Sequence, residues 1–259
     1  MYKIALARWQ QGHRTTSFPL QEPTMPDRFL GMPVLDRARC PEGCALCAEQ
    51  CPTDAIRLTP GAYTVDLGLC LFCPACQAAC PAQAITHTPD YRLAVRQRED
   101  LQVKGAVLNK AKALEAKSRR LFGHSLKLRQ VSAGGCNACE ADTNVLTTVG
   151  FDLGRFGIQF VASPRHADGV LITGPVTENM REALLKTYDA IPAPKLVIVV
   201  GACAISGGPF AGHPEAHNGA GNLLPVDLFI PGCPPHPITI LDGLLRLLGR
   251  IEETADQAK

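Results

Sequence analysis

The sequence predicts two domains: a small α+β domain built around a cysteine repeat, followed by an α/β domain with a parallel sheet. Three observations predict this. Eight of the twelve cysteines form a tandem repeat between residues 40 and 80. Short apolar runs alternate with helical patterns after residue 125, which implies parallel strands covered on both faces. The other four cysteines, Cys136, Cys139, Cys203 and Cys233, all fall just past the ends of predicted strands.

The repeat reads Cys40, Cys44, Cys47, Cys51-Pro52, then Cys70, Cys73, Cys76, Cys80-Pro81. Corresponding cysteines are offset by 30, 29, 29 and 29 positions. The tails Cys51-Pro-Thr-Asp-Ala-Ile56 and Cys80-Pro-Ala-Gln-Ala-Ile85 extend the copy past the ligands. C-x2-C-x2-C-x3-C-P is the run that wraps 4Fe-4S clusters in bacterial ferredoxins, where the fourth cysteine of each run serves the other cluster. That crossing assigns Cys40, Cys44, Cys47 and Cys80 to one cluster, and Cys70, Cys73, Cys76 and Cys51 to the other. Cys40 to Cys44 departs from the pattern as C-x3-C, through Pro41, Glu42 and Gly43, so Cys40 is the least regular ligand. Zinc also uses C-x2-C pairs, but its patterns leave the proline after each fourth cysteine without a reason. A disulfide framework suits small secreted domains, and Met1 to Gln10 shows no apolar core or cleavage site of a secretory signal.

At 259 residues the chain accommodates a cluster domain plus a domain with its own core. A formal net charge of +2 gives no electrostatic case for nucleic acid. The longest apolar run, Leu196 to Ile205, is far short of the roughly 18 residues of a membrane span. The chain is therefore expected to be a cytoplasmic protein, soluble or peripheral on the membrane.

In order along the chain, residues 1–35 carry four prolines and little periodicity and are expected as an extended arm, either a disordered terminus or a strap laid on a neighbour. Residues 36–95 are the cluster domain. Residues 96–124, with Lys104, Lys110, Lys112, Lys117, Arg119 and Arg120 beside Leu108, Ala111, Leu114 and Leu121, are expected as a basic linker helix. Such a helix is either a solvated linker or a dock for an acidic partner or anionic lipid. Residues 125–250 are the second domain, and 251–259 a polar tail.

Within 125–250, Leu126 to Val131 alternates like a strand, and Gly134-Gly135-Cys136-Asn137-Ala138-Cys139 forms a turn before a short helix from Glu140. Gly169 to Thr173 and Leu196 to Val200 are buried-strand runs. Thr177 caps a helix with Met180, Leu184 and Tyr188 on one face. Leu228 to Ile230 is a last short strand, and Pro237 starts a helix carrying Ile238, Leu241, Leu244, Leu245 and Leu248 inward. Ligands bind at the carboxyl edge of open α/β sheets, and the four remaining cysteines share that edge among glycines that permit tight turns. They are read as a third 4Fe-4S site; for Cys203 alone, a buried thiol acting as a small hydrophobe stays open.

The stretch Phe156 to Thr177, together with Lys195 to Ala204 and Pro231-Gly-Cys-Pro-Pro235, resembles the small, proximal-cluster subunit shared by respiratory complex I and membrane-bound energy-converting nickel-iron hydrogenases. The resemblance covers roughly residues 120 to 250. Complex I subunits carry two adjacent cysteines at the first ligand position, whereas Cys136-Asn-Ala-Cys139-Glu140 looks like the hydrogenase branch, as in formate hydrogenlyase. The chain thus resembles a fusion: an α+β bacterial-type ferredoxin domain followed by an α/β flavodoxin-like parallel-sheet domain. The resemblance implies a non-catalytic electron relay with three 4Fe-4S clusters, fed by a ferredoxin or dehydrogenase donor. It implies a separate nickel-iron-type large subunit as partner, and membrane-embedded complex I-like subunits within one peripheral assembly. A nickel-free, quinone-reducing complex and a redox-sensing scaffold are the other readings.

Several polar residues carry two readings each. Glu140 is either a proton-handling group or an acid favoured in the first turn of a helix. Arg165 and His166 are either partner contacts or a solvated loop. His213, His217 and His236 lie near Cys203 and Cys233, where four cysteines already complete a ligand set.

Overall fold

The 29-residue offset of the cysteine repeat reappears in the backbone of the computed structural model, which describes residues 2–59, 62–105 and 107–251. After helix α1 (Tyr2–Gln11), the first half runs β1 (Pro33–Leu35), α2 (Leu46–Glu49) and β2 (Ile56–Thr59). The second half runs β3 (Ala62–Asp66), α3 (Ala75–Ala78) and β4 (Ile85–His87), each element starting 29 residues after its counterpart. The halves exchange strands: β1 pairs antiparallel with β4, and β2 with β3. Asp54 and Gln83, again 29 apart, both adopt positive φ, 52° and 47°. A local rule of turn and helix is thus written twice and closed by strand exchange.

Two expectations are corrected. The arm is not extended throughout, because Tyr2–Gln11 is helical, with good helix formers such as Ala5, Leu6, Ala7 and Arg8 and no buried residue. Past α1 the arm straps this same chain. Thr16 N donates to Gly150 O at 2.8 Å, and Arg155 donates to Thr16 O and Phe18 O, each at 2.8 Å. Phe18 is buried edge-on against Tyr91.

The basic linker helix over 96–124 does not form as one element. Residues 98–101 make a 3₁₀ turn, Gln102–Val103 is strand β5 added to β3, and only α4 (Ala116–Phe122) is α-helical. In between, Ala111 N donates to Ala94 O at 2.7 Å and Leu114 N to Leu247 O at 2.9 Å, with both side chains buried. Tertiary bonds and burial override helix propensity here, whose differences are only tenths of a kcal/mol per residue. Because β5 belongs to the repeat's sheet, the repeat unit also extends past residue 95.

The second half contains β6 (Leu126–Ser132), α5 (Ala138–Val145), β7 (Ile158–Phe160), β8 (Gly169–Thr173), α6 (Glu178–Asp189), β9 (Leu196–Val200), α7 (Ala202–Ser206), β10 (Leu228–Ile230) and α8 (Pro237–Leu247). Its five strands are all parallel, in the order β7-β6-β8-β9-β10. Counted along this domain the order is 2-1-3-4-5, the flavodoxin-like order, with its switch point between β6 and β8. Edge strand β7 was not foreseen from the sequence. Thr177 takes the N-cap position of α6, though its side chain makes no capping bond.

Strand alternation sends neighbouring residues to opposite faces. Val170, Ile172, Val197 and Val199 join a core that also contains Leu35, Ile56, Leu67 and Ile85 of the repeat. Leu171, Ile198 and Val200 face the other way, against Ile240, Leu241 and Leu244 of α8. All of α8 is buried, including Asp242 and Arg246, which pair at 2.8 Å. Val95 exchanges backbone bonds of 3.0 and 2.8 Å with Phe229, extending the sheet beyond β10. The two expected domains therefore share one apolar core. The expected polar tail, apart from Ile251, lies outside the described residues.

Candidate metal centres

All twelve cysteines are free thiols. Cys47 in α2 and Cys76 in α3 occupy equivalent, buried places in the two half repeats. Burial pushes the Cys47 thiol up, and Cys40 and Cys80 push it further. Burial takes Cys70 up to about 12, with Cys76, Cys51 and Cys73 adding to it. Cys76 rises to about 11 through burial, then Cys73, Cys51 and Cys47. Cys40 and Cys80 thus act on Cys47, and Cys51, Cys70 and Cys73 lie around Cys76, while Cys47 also reaches Cys76, so the thiols of the two runs sit side by side. Cys44 is placed by its loop, where its amide donates to Pro41 O at 3.2 Å. Gly43 before it has φ +74°, so a tight turn absorbs the inserted residue.

Backbone amides aim at the sulfurs of both runs. Ala55 N donates to Cys51 Sγ at 3.3 Å and Ala84 N to Cys80 Sγ at 3.2 Å. Phe72 N donates to Cys70 Sγ at 3.3 Å. Burial alone would raise Cys80, yet the amides from Ala82 to Ile85 together bring it below its usual value.

The third set is assembled from three loops at one sheet edge. Cys136 follows β6, Cys139 lies in the first turn of α5, Cys203 in the first turn of α7, and Cys233 follows β10. Burial raises Cys139 well above the thiol range, followed by Cys203, Glu140, Cys233 and Cys136. Cys203 is pushed up to about 11 by burial, then by Cys233 and Cys136. Burial also raises Cys233, and the next causes are Cys136 and Cys73, a thiol of the repeat. So the four predicted ligands come together, and the repeat's second set adjoins them. Gly201, at φ +92°, makes the approach possible: a Cβ there would stand 2.5 Å from Cys139 Sγ.

Four thiols that share a partly buried site and repel one another as thiolates are held ionised by a cationic centre. The donor chemistry of each set, soft sulfur with directed amides, fits an iron-sulfur cluster. Among the described residues no three His, Cys, Asp or Glu side chains approach closely enough for a single metal ion; a cube of four irons spreads its ligands farther apart than one ion does.

The remaining candidates separate clearly. Glu140 is buried and accepts from Ser132 Oγ at 2.5 Å and Thr173 Oγ1 at 2.7 Å. His217 Nε2 is 2.5 Å from Glu178 Oε2, and His213 Nδ1 accepts from Glu215 N at 3.1 Å. His236 caps α8 through Nδ1, accepting from Ile238 N at 3.2 Å, and burial lowers its pKa. Arg165 and His166 are exposed on a 3₁₀ turn. Sequence reasoning missed a cavity of about 210 Å³ between the repeat and the third set, lined by Phe29, Leu71, Phe72, Asp142, Cys233 and His236 among others. Its walls come from five separate segments, a juxtaposition no sequence spacing announces.

Comparison with known proteins places the second half of the chain. Residues 136–247 match the family described as NADH ubiquinone oxidoreductase, 20 Kd subunit. The probable membrane-bound hydrogenase subunit mbhJ of Pyrococcus furiosus is 39% identical over 132 residues, 51% of this chain and 79% of that protein. Formate hydrogenlyase subunit 7 of Escherichia coli is 40% identical over 141 residues, 54% of this chain and 55% of that protein. One subunit of the NADH-quinone oxidoreductase of Clostridium beijerinckii is 43% identical over 118 residues, 45% of this chain and 70% of that protein. A chain of the membrane-bound sulfane sulfur reductase, an archaeal respiratory membrane complex, is 33% identical with a TM-score of 0.46, covering 52% of this chain and 75% of that one.

Proposed function

Since this chain belongs to the family of the 20 Kd subunit of NADH ubiquinone oxidoreductase, we propose that it is the electron-transfer subunit of a membrane-associated hydrogenase complex, with a ferredoxin-type domain fused ahead of the family domain. Its residues would hold three 4Fe-4S clusters: one on Cys40, Cys44, Cys47 and Cys80, one on Cys70, Cys73, Cys76 and Cys51, and one on Cys136, Cys139, Cys203 and Cys233. Bound there, such clusters supply one-electron storage at potentials set by burial and by hydrogen bonds to sulfur.

The observation that carries this reading is the continuity of the thiols. Cys47 acts on Cys76, and Cys73 acts on Cys233, so the three sets form a row with the repeat at one end and the sheet edge at the other. Along that row Cys47 and Cys76 are buried, and within the repeat backbone amides are directed at sulfur. Within the third set Cys136 and Cys233 are exposed, which leaves that set open to a separate large subunit. The spacing Cys136-Asn-Ala-Cys139 supports a nickel-iron partner. The 43% identity to a subunit of a quinone oxidoreductase favours a second reading, in which the large subunit is nickel-free and reduces a quinone. A ferredoxin or a dehydrogenase would feed the repeat.

Two elemental analyses test this. Anaerobic reconstitution should give about 12 irons per chain, four per cluster; about 8 would remove one cluster. Stoichiometric nickel in the complex that co-purifies with this chain supports the hydrogenase reading, and an intact complex without nickel transfers it to the quinone reading.

A further inference from the structure

Helix α1 contributes no buried residue to the core, and three of its large apolar side chains face water while Leu6 is half-buried. Trp9 is 82% exposed, Tyr2 78% and Ile4 75%, and beyond the helix Leu20 is 93% exposed. Tyr2, Ala5, Leu6 and Trp9 stand at i, i+3, i+4 and i+7 and therefore share one face. Lys3 and Arg8 lie to either side of that face, Arg14 follows, and no Asp or Glu occurs before Glu22. Thr15 Oγ1 donates to Val149 O at 2.9 Å, holding the residues after α1 against the turn that follows α5, where Val149 is also exposed.

We propose that α1 docks this chain directly on an anionic lipid bilayer, lying in the headgroup plane with Tyr2 and Trp9 in the acyl boundary. Three features commit the surface to lipid. Tyr and Trp are the side chains favoured at the boundary between water and hydrocarbon, where an apolar ring carries one polar atom. Basic side chains flank the apolar face on both sides, with stems long enough to reach headgroup phosphates. A stretch of twenty residues, 2–21, with three cations and no anion complements a negative surface. Among the described residues no helix is long and apolar enough to cross a membrane, so contact through α1 is interfacial. The inference stands on α1 and its surroundings and is independent of the thiol sets.

Trp9 is the single tryptophan of the chain, so its emission reports on this site alone. The reconstituted full-length protein would be mixed with vesicles of phosphatidylcholine alone or of phosphatidylcholine with phosphatidylglycerol. The expected result is flotation with the anionic vesicles only and a blue shift of Trp9 emission, both reversed by salt. Replacing Lys3, Arg8 and Arg14 together by Glu should lower partitioning by roughly a hundredfold or more, while iron content stays unchanged and shows that the fold is kept. Equal binding to both vesicle types, or none, overturns the proposal. So does a blue shift that grows with protein concentration without vesicles, which would assign the face to a second copy, or one seen only in the lipid-free native complex, which would assign it to a protein partner.

Discussion

The two halves of the molecule gather their thiols in opposite ways. In the repeat, the eight cysteines come from two runs of 12 and 11 residues, each wound by one turn and one short helix, Leu46–Glu49 and Ala75–Ala78. Strand exchange then closes the two runs into one unit. In the parallel-sheet half, four thiols converge from positions spread between 136 and 233, and only the 2-1-3-4-5 strand order places their loops side by side. The first arrangement rests on local geometry and tolerates an inserted residue, as Cys40 to Cys44 shows. The second rests on the whole sheet and leaves its key contact, Gly201 against Cys139, no space for a single methyl group.

The sharpest way to break this contrast is a pair of glycine substitutions. Gly201→Ala places Cβ 2.5 Å from Cys139 Sγ at φ +92°, so it should remove the third cluster, as Cys139→Ala should, and leave about 8 of 12 irons per chain. Gly43→Ala also forces a positive φ, +74°, but meets no atom within 4 Å. It should keep all the iron and cost only about 1 kcal/mol. Iron analysis and low-temperature electron paramagnetic resonance of the three variants check this. Because the halves share a core, the informative outcome is whether the repeat's signals survive the loss of the third set; their loss as well would show that the halves do not hold clusters independently.

A second test concerns α8, which has no counterpart in the repeat. Asp242 and Arg246 are paired inside it, and burial pushes the Asp242 carboxyl up to about 6 despite Arg246. Its folded pKa lies above the usual carboxylate value, so the unfolded chain binds fewer protons between roughly pH 4 and 6. Asp242 therefore costs stability above about pH 6, and the cost is relieved as pH falls toward 4. Arg246→Met should strip away the partner and cost about 3–5 kcal/mol at pH 8, read as a lower denaturation midpoint. The deficit should shrink at pH 5, where Asp242 protonates. Replacing both residues, Asp242→Leu with Arg246→Met, should restore most of the loss.

What the sequence made legible follows the same division. The duplication of the repeat could be read from spacing, because a turn and a short helix fix cysteine positions within a dozen residues. The carboxyl-edge placement of Cys136, Cys139, Cys203 and Cys233 was legible for a different reason: each follows an apolar run whose length and composition announce a buried strand. Strands Gly169–Thr173, Leu196–Val200 and Leu228–Ile230 appear with the bounds expected. The basic segment over 96–124 misled because Ala111 and Leu114 look like one helix face, yet each is an anchor of an extended strap with a long-range backbone bond. Edge strand Ile158–Phe160 is three residues long, too short for alternation to show. Helix α1 escaped notice because the prolines after it suggested an extended segment, and nothing in the core demanded a helix there.

The smallest expected effect probes the one device the repeat has in duplicate. Ala55 N donates to Cys51 Sγ and Ala84 N to Cys80 Sγ, at 3.3 and 3.2 Å, so each half-repeat's amide serves the fourth thiol of its own run. An N–H directed at a sulfur favours the more negative, reduced state of a cluster. Ala84→Pro removes the donor at Cys80, and should lower the potential of the cluster that includes Cys40 and Cys47. Ala55→Pro should do the same for the one that includes Cys70, Cys73 and Cys76. If the roughly 1 kcal/mol of a net hydrogen bond is expressed in one redox state, the shift is about 40 mV for a one-electron couple. Redox titration of both variants decides whether the crossing is real. Each substitution should move a different cluster and leave the third set, held on the parallel sheet, unmoved, whereas two variants that shift the same signal would mean that the fourth thiols stay within their own runs.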